Sequence, residues 1–175
     1  MEKEFDVTQT TITRDNPFRL CFVCLGNICR SPTGEGVFRH LVNERGLQPY
    51  FFIDSAGTSA WHVGEPANHN SRNVAEKHGV ELLSRARKFG PADLDEFDLI
   101  LAMDRQNYRD ILNMASTDQQ RARVRTMRSF DPDPEDGNVP DPYQGGLNGF
   151  ENVYQIVYRS CSQLLDLLEP RIERS

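Results

Sequence analysis

Arg19-Leu-Cys-Phe-Val-Cys-Leu-Gly-Asn-Ile-Cys-Arg-Ser-Pro32 decides how the rest of the chain reads. Arg19-Leu-Cys-Phe-Val23 is a short apolar run of the length expected for a buried strand. It breaks at Leu25-Gly-Asn27, and Ser31-Pro32 then opens a helix, with Ser at the N-cap and Pro at the first helical position. Val37, Phe38, Leu41 and Val42 mark one face of that helix, which is expected to end near Gly46. A strand, a tight loop and a helix N-terminus in this order form the corner where open α/β sheets place their ligands.

Working outward, Tyr50-Phe-Phe-Ile53 reads as a second strand, followed by a long polar loop containing Trp61. Asn70 to His78 is expected to be a helix closed by Gly79. Phe97-Asp-Leu-Ile-Leu-Ala-Met103 is a third strand, and Asp104 caps a helix running through Tyr108, Ile111 and Leu112. Val124 to Phe130 gives a weaker fourth strand. Phe150, Val153, Tyr154, Val157, Cys161, Leu164, Leu165 and Leu168 repeat at helical spacing and predict a long amphipathic helix. Strands alternating with helices imply an α/β fold, a parallel sheet covered on both faces.

Composition bounds the function. The 175 residues suffice for one well-buried core, and 38% apolar with 26% charged residues describe an ordinary globular chain. A net charge of −6 argues against nucleic acid as the partner. The basic residues are 17 Arg to 3 Lys, and Arg reads planar anions better than Lys. No apolar stretch is long enough to cross a membrane, and residues 1–17, with no apolar h-region, read as a flexible extension rather than a secretory signal. Cysteines crowded at 21, 24 and 29 do not resemble a disulfide framework, so a cytoplasmic protein is expected.

Cys24 and Arg30 bracket the loop. A Cys and an Arg separated by five residues is a weak signal alone, since this composition yields roughly 0.4 such pairs by chance. The position before a helix gives it weight. Successive loop amides there form an anion nest, reinforced by the helix dipole. Arg30 can hold two phosphate oxygens with its planar fork, and Gly26 is expected to supply a positive φ. The same field favours a thiolate at Cys24, poised for attack on phosphorus. The competing reading is that Cys24 is an ordinary buried cysteine. Cys21-Phe-Val-Cys24 has the form of a redox or zinc C-x-x-C, but in a strand the two thiols face opposite sides of the sheet. Cys21 is therefore expected to be core.

Val23-Cys-Leu-Gly-Asn-Ile-Cys-Arg-Ser-Pro32 resembles the phosphate-binding loop of the low-molecular-weight protein tyrosine phosphatases. The likeness continues through Asp54-Ser-Ala-Gly-Thr58, Trp61-His-Val-Gly64, His78-Gly79, Ala102-Met-Asp104 and Asp141-Pro-Tyr143, roughly residues 18 to 168. It implies a single α/β domain over 18–175 with four parallel strands, helices on both faces and the phosphate loop after the first strand. It further implies phosphotyrosine hydrolysis through a phosphocysteine, without metal or cofactor, by a monomer acting on tyrosine-phosphorylated proteins.

By the same resemblance, Cys24 is the nucleophile, Arg30 with the amides of Leu25, Gly26, Asn27, Ile28 and Cys29 holds the phosphoryl oxygens, and Asp141 is the general acid and base. Asp131, Asp133, Glu135 and Asp136 share the Asp141 loop, and only the Asp-Pro-Tyr match singles Asp141 out. Trp61 and Tyr143 are implied as aromatic walls for the substrate ring, with Leu25 at the mouth. Asn27, Ser31, Ser55 and His78 are implied as the network that supports the loop. For Ser31 and His78, helix capping and a favourable dipole at a helix C-terminus are competing explanations. Cys29 matches a second cysteine that forms a reversible disulfide with the nucleophile, its alternative role being to pack beneath the loop.

The chain also departs from the pattern. Gln144 stands where many members have a second tyrosine, and Gly34 and Gly36 occupy helical positions where Ala is more usual. Three rival functions bear on the same loop. An arsenate reductase relays oxidation through further cysteines, and Leu82-Leu-Ser-Arg-Ala-Arg-Lys-Phe89 contains none. A protein-arginine phosphatase carries Thr at the position of Ile28. A non-catalytic phosphotyrosine-binding module is expected to have lost either the nucleophile or the acid, and both are present here.

Overall fold

The computed structural model describes residues 11–174, without the side chains of residues 144–147. Four strands, β1 (Phe18–Cys24), β2 (Phe51–Gly57), β3 (Leu99–Ala102) and β4 (Val124–Thr126), form one sheet. All neighbours are parallel, in the order β2-β1-β3-β4. Helices α1 (Arg30–Glu44), α2 (His69–Lys77), α3 (Asp93–Glu96), α4 (Arg105–Leu112), α5 (Asp118–Ala122) and α6 (Gly146–Leu168) make the connections and the last layer. The apolar run at the start of the chain becomes the central strand β1, buried on both faces. Phe18, Leu20, Phe22 and Cys24 join the core beneath α1, α2 and α6. Cys21 and Val23 face the opposite core with Leu94 of α3 and Ile111 of α4. Cys21 is therefore core and Cys24 is not its partner, as the alternation requires.

Chain order reverses beside β1: the connection to β2 leaves on one side and β3 returns on the other. The crevice at the carboxyl ends of β1 and β3 is the topological switch point. The loop after β1 opens into it.

Several local expectations change. The helix after the loop begins at Arg30 with Cys29 at its N-cap, which makes no side-chain cap bond. Ser31 thus lies inside the first turn, where its hydroxyl is free for other work. Asp104 does cap α4, accepting from the Asn107 amide. Asn68 caps α2, which spans one residue earlier at each end than the sequence suggests and is closed by Gly79 at φ +79°. The fourth strand stops at Thr126, and Met127–Phe130 is a 3₁₀ turn. Leaving the sheet there buries Met127, Phe130 and Arg128. The Arg128 guanidinium then donates to the carbonyls of Asn138 and Asp133 and pairs with Asp131, itself paired with Arg159. The loop leading to Asp141 is wound around this buried cation.

The flexible extension expected over 1–17 falls largely outside the described residues. Within 11–17, however, Ile12 is 1% exposed, its amide donates to the Arg171 carbonyl and its own carbonyl accepts from Glu173. Ile12 therefore fastens this segment to the C-terminal end, a contact too distant in sequence for local patterning to reveal.

Gly34 and Gly36 are explained by packing. A methyl at Gly34 would sit 2.6 Å from the Phe22 ring and 3.0 Å from Met103, while one at Gly36 meets the end of the Leu82 side chain. Phe22 is a rigid ring at the centre of the sheet; Leu82 can rotate away. Overpacking costs about 1–3 kcal/mol against a helix-propensity gain near 1 kcal/mol. Gly34→Ala is expected to lower stability by about 1–2 kcal/mol, and Gly36→Ala by clearly less. Paired urea unfolding curves check this; equal stability of the two variants would contradict it.

Candidate active site

The loop from Cys24 to Arg30 is built from the carbonyls outward. Those of Cys24, Leu25 and Ile28 accept from the amides of Thr58, Ser59 and Asn68. The amides of Gly26, Asn27, Ile28 and Cys29 have no protein acceptor among the described residues. A loop that spends its carbonyls on its surroundings and leaves consecutive amides unbonded is an anion nest. Gly57, at the end of β2, allows the approach: a methyl there would lie 2.8 Å from the Leu25 carbonyl oxygen and 3.1 Å from the Asn27 nitrogen.

The positive φ expected at Gly26 occurs instead at Asn27, at 56°. At Gly26 a methyl would stand 3.0 Å from the His62 ring, a tight contact that this partly exposed side chain would have to yield to. Asn is among the few residues that tolerate this backbone region, and its side chain secures it. Asn27 Oδ1 accepts from the Arg87 amide at 3.1 Å. That fixes the amide group, so Nδ2 donates to Ser31 Oγ at 2.7 Å and Ser55 Oγ at 3.0 Å.

Proton bookkeeping then assigns directions along the network, the last of them for Cys24 as a thiolate, which can only accept. Ser55 must donate to the buried Glu35 carboxylate at 2.8 Å, because the carboxylate only accepts. Ser31 Oγ accepts from Asn27, so its own proton is free to point at Cys24 Sγ, 3.0 Å away. The alternative acceptor, the Ala56 carbonyl, is farther at 3.4 Å. Glu35 is balanced by Arg39 at 2.9 Å. Arg87 is held by Asp93 and Asp54, which raise its basicity against the opposing effect of burial.

Arg30 is 8% exposed and held by one corner: Nη1 donates to Asp104 at 2.8 Å and to the Val139 carbonyl at 3.0 Å. Nη2 and Nε have no partner among the described residues, leaving one edge of the guanidinium for a ligand. The loop floors a cavity of about 160 Å³. Buried Cys24 and Arg30 line it together with the exposed Leu25, Trp61 and Tyr143, and with Ile28, Asp141 and Pro142. Asp141 Oδ1 accepts from the Tyr143 amide, leaving Oδ2 without a described bond. Tyr143 is positioned by Asn68, which donates to its hydroxyl at 2.6 Å, and by an edge contact with Phe150. Burial pushes the Cys29 thiol up to about 11, so it stays protonated beside the nest.

Every residue expected to line the pocket does so except Asn27, whose side chain turns beneath the loop. Ser31 and Ser55 are in the supporting network as expected. His78 is not. It bonds Glu151 at 2.8 Å and stacks on Tyr154 at 4.1 Å, joining α2 to α6 away from the loop. It is the closing residue of α2, and the chain leaves in another direction at Gly79. Glu35, Arg87 and the Val139 carbonyl complete the site without having been singled out in the sequence. His62 also lines the pocket and bonds Glu65 at 2.6 Å. None of these lies at a spacing that marks it, and Asp104 stands in the Ala102-Met-Asp104 likeness and as a cap without a role assigned to it in the site.

Comparison with known proteins agrees with this geometry. The family model described as low molecular weight phosphotyrosine protein phosphatase matches residues 19–174. A low molecular weight protein-tyrosine-phosphatase of Streptomyces coelicolor is 41% identical over 158 residues, 89% of this chain and 96% of its own. The low molecular weight phosphotyrosine protein phosphatase of Rattus norvegicus is 42% identical over 147 residues, 83% of this chain and 92% of its own. Among solved structures, a protein tyrosine phosphatase from Entamoeba histolytica with Hepes in its active site superposes with a TM-score of 0.83 at 37% identity, covering 87% of this chain and 97% of that one. A Drosophila arginine phosphatase superposes with a TM-score of 0.78 at 33% identity, covering 84% and 95%. With its four-stranded parallel sheet and its phosphate loop at the switch point, this chain belongs to the low molecular weight phosphotyrosine protein phosphatase family.

Proposed function

We propose that the chain hydrolyses phosphotyrosine in proteins in two steps through a phosphocysteine at Cys24. The observation that carries this reading is one pocket lined by a buried thiol on an anion nest, by an Arg30 guanidinium with a free edge and by the Asp141 carboxylate. In the first step Cys24 Sγ attacks phosphorus as the bond to the phenolic oxygen breaks, and Asp141 gives that oxygen its proton. In the second, Asp141 takes a proton from water, which attacks the phosphocysteine and releases phosphate and the thiolate. The loop amides and the outer edge of Arg30 hold the three equatorial oxygens throughout, so catalysis is positioning and charge stabilisation. Each charge in this scheme is met by a named protein group, and no step is assigned to a metal or cofactor.

Trp61 and Tyr143, both well exposed in the lining of the pocket, suit a flat aromatic group whose phosphate reaches the loop. Ile28 in the same lining supports an aryl ester over a phosphoguanidinium. No helix among the described residues is long and apolar enough to cross a membrane. The four cysteines are free, which suits a reducing, cytoplasmic setting. Cys29 lies in the same pocket and is the resolving partner of Cys24 if the nucleophile is oxidised.

The wild-type protein in EDTA is expected to release phosphate from a tyrosine-phosphorylated peptide at least about tenfold faster than from an arginine-phosphorylated one, a modest transition-state difference. Cys24→Ser is expected to abolish both activities. Faster turnover of the arginine-phosphorylated peptide would assign the chain to the other substrate class; metal-dependent turnover, or turnover by Cys24→Ser, would overturn the phosphocysteine route.

The directed network generates a second expectation. A hydrogen bond to a charged group is worth about 1.5–3 kcal/mol, so Ser31→Ala should lower kcat by roughly 10- to 150-fold. Asn27→Asp should act in the same direction, because a carboxylate cannot donate to Ser31 and draws its proton away from Cys24. Steady-state kinetics with parallel thermal unfolding check this. A Ser31→Ala enzyme with unchanged kcat would show that the hydroxyl serves the fold alone.

A further inference from the structure

A second cavity, of about 380 Å³, opens between the first turn of α4 and the loop leading to Asp141. Its lining is Arg105, Tyr108, Arg109, Thr126 and Gly137, two guanidiniums without a carboxylate. The Arg105 guanidinium lies over Gly137, with Nη2 3.6 Å from where a side chain there would begin. Gly137 adopts φ +84°, so the turn presents bare backbone to the cation. The Arg105 side chain has no hydrogen-bond or ion-pair partner among the described residues, and Arg109 donates only to the neutral amide of Gln106.

Among the described residues, Arg30, Arg87 and Arg128 meet carboxylates, whereas Arg105 and Arg109 belong to the arginines that do not, and these two line one cavity. The two acids that precede Gly137 in the chain do not supply a counter-charge. Asp136 accepts from the Asn138 amide, and Glu135 faces Arg128 at 4.0 Å. Two arginines on one cavity, neither paired with a carboxylate among the described residues, suit the oxygens of a tetrahedral oxyanion. The volume lies in the range of small-molecule sites, about 300–1,000 Å³, and exceeds a bare phosphate ion.

We propose that this cavity is a second anion site that takes the phosphate group of a small phosphorylated molecule, or free phosphate, between Arg105 and Arg109. The site adjoins the groups that hold Arg30. The Arg105 amide donates to Asn138 Oδ1, while the adjacent residues Asp104 and Val139 both accept from Arg30. An anion in the cavity therefore bridges α4 to the turn at Gly137, just before the segment that carries Asp141. This inference does not depend on the reaction assigned to Cys24.

The test is an amide NMR titration of the full chain with inorganic phosphate and, separately, with glucose 6-phosphate. Arg105, Gly137 and Asn138 are followed as their own set. The proposal expects these three amides to titrate together, and Arg105→Gln/Arg109→Gln to weaken that response at least about tenfold. The response should also weaken with added salt. Both side chains are solvent-facing, so the double variant should keep the wild-type melting temperature and its basal turnover of a small aryl phosphate. Equal binding of the two ligands identifies free phosphate as sufficient, whereas tighter binding of glucose 6-phosphate identifies an ester as the occupant. Silence of the three amides with both ligands, or an undiminished response in the double variant, would overturn the proposal.

Discussion

The 3.0 Å contact between Ser31 Oγ and Cys24 Sγ is the constraint to which the rest of the site is fitted. A hydroxyl near a thiol has no preferred direction by itself; the chain behind it supplies one. Glu35 can only accept, so Ser55 donates to it, Asn27 donates to both serines, and the Ser31 proton is left for sulfur. Asn27 can do this only from the left-handed backbone region, with its carbonyl oxygen held by the Arg87 amide. That geometry in turn requires the loop to lie against Gly57, where any side chain would collide with it. The direction of one proton thus rests on residues from β1, α1, β2 and the segment before α3.

Arg30 is held from the other side of the crevice. Arg30 is held at one nitrogen by Asp104, which also caps α4, and by the carbonyl of Val139. Val139 is placed by the loop wound on Arg128, whose side chain is buried at 1% exposure and bonds carbonyls five and ten residues ahead. Breaking such a buried pair leaves an uncompensated charge, so the loop is tied firmly at its start. Its far end, with Asp141 and Tyr143, rests on Asn68 and Phe150. Gly149 permits this seat, since a methyl there would approach the Pro142 carbonyl oxygen within 2.3 Å. Arg30 and Asp141 therefore belong to one connected structure, with a firm root at Arg128 and a lighter contact at its tip.

What could be read from the sequence followed the range of the physics involved. The run through Val23, the periodicity from Phe150 to Leu168 and the cap at Asp104 are local, and they appear where the pattern puts them. The Cys24-to-Arg30 loop was legible because its strand and helix flanks are contiguous with it. Ser31 shows the limit: it looks like an N-cap by type and position, but the helix starts at Arg30 and the hydroxyl turns to sulfur. Gly26 was assigned the positive φ because glycine is the default residue for it, whereas Asn27 has the side chain to stabilise that conformation through three bonds. His78 was carried into the network by resemblance alone, and its helix holds it against Tyr154 instead. Glu35 and Arg87 were invisible because their partners, Ser55 and Asn27, are 20 and 60 residues away. The stop of β4 at Thr126 was equally hidden, since what ends the strand is the burial of Arg128 among loop carbonyls.

The central claim is that a directed hydrogen-bond chain and a cornered guanidinium make Cys24 the group that receives the phosphoryl. The most direct measurement is a denaturing quench during steady turnover of an aryl phosphate, followed by phosphorus-31 NMR of the unfolded chain and mapping of the modified peptide. The account predicts a thiophosphate-ester resonance assigned to the peptide bearing Cys24. A phosphoryl group trapped on any other residue would contradict it, as would a wild-type chain that turns over while the Asp141→Asn variant, in which water attack is slowed, yields no covalent adduct.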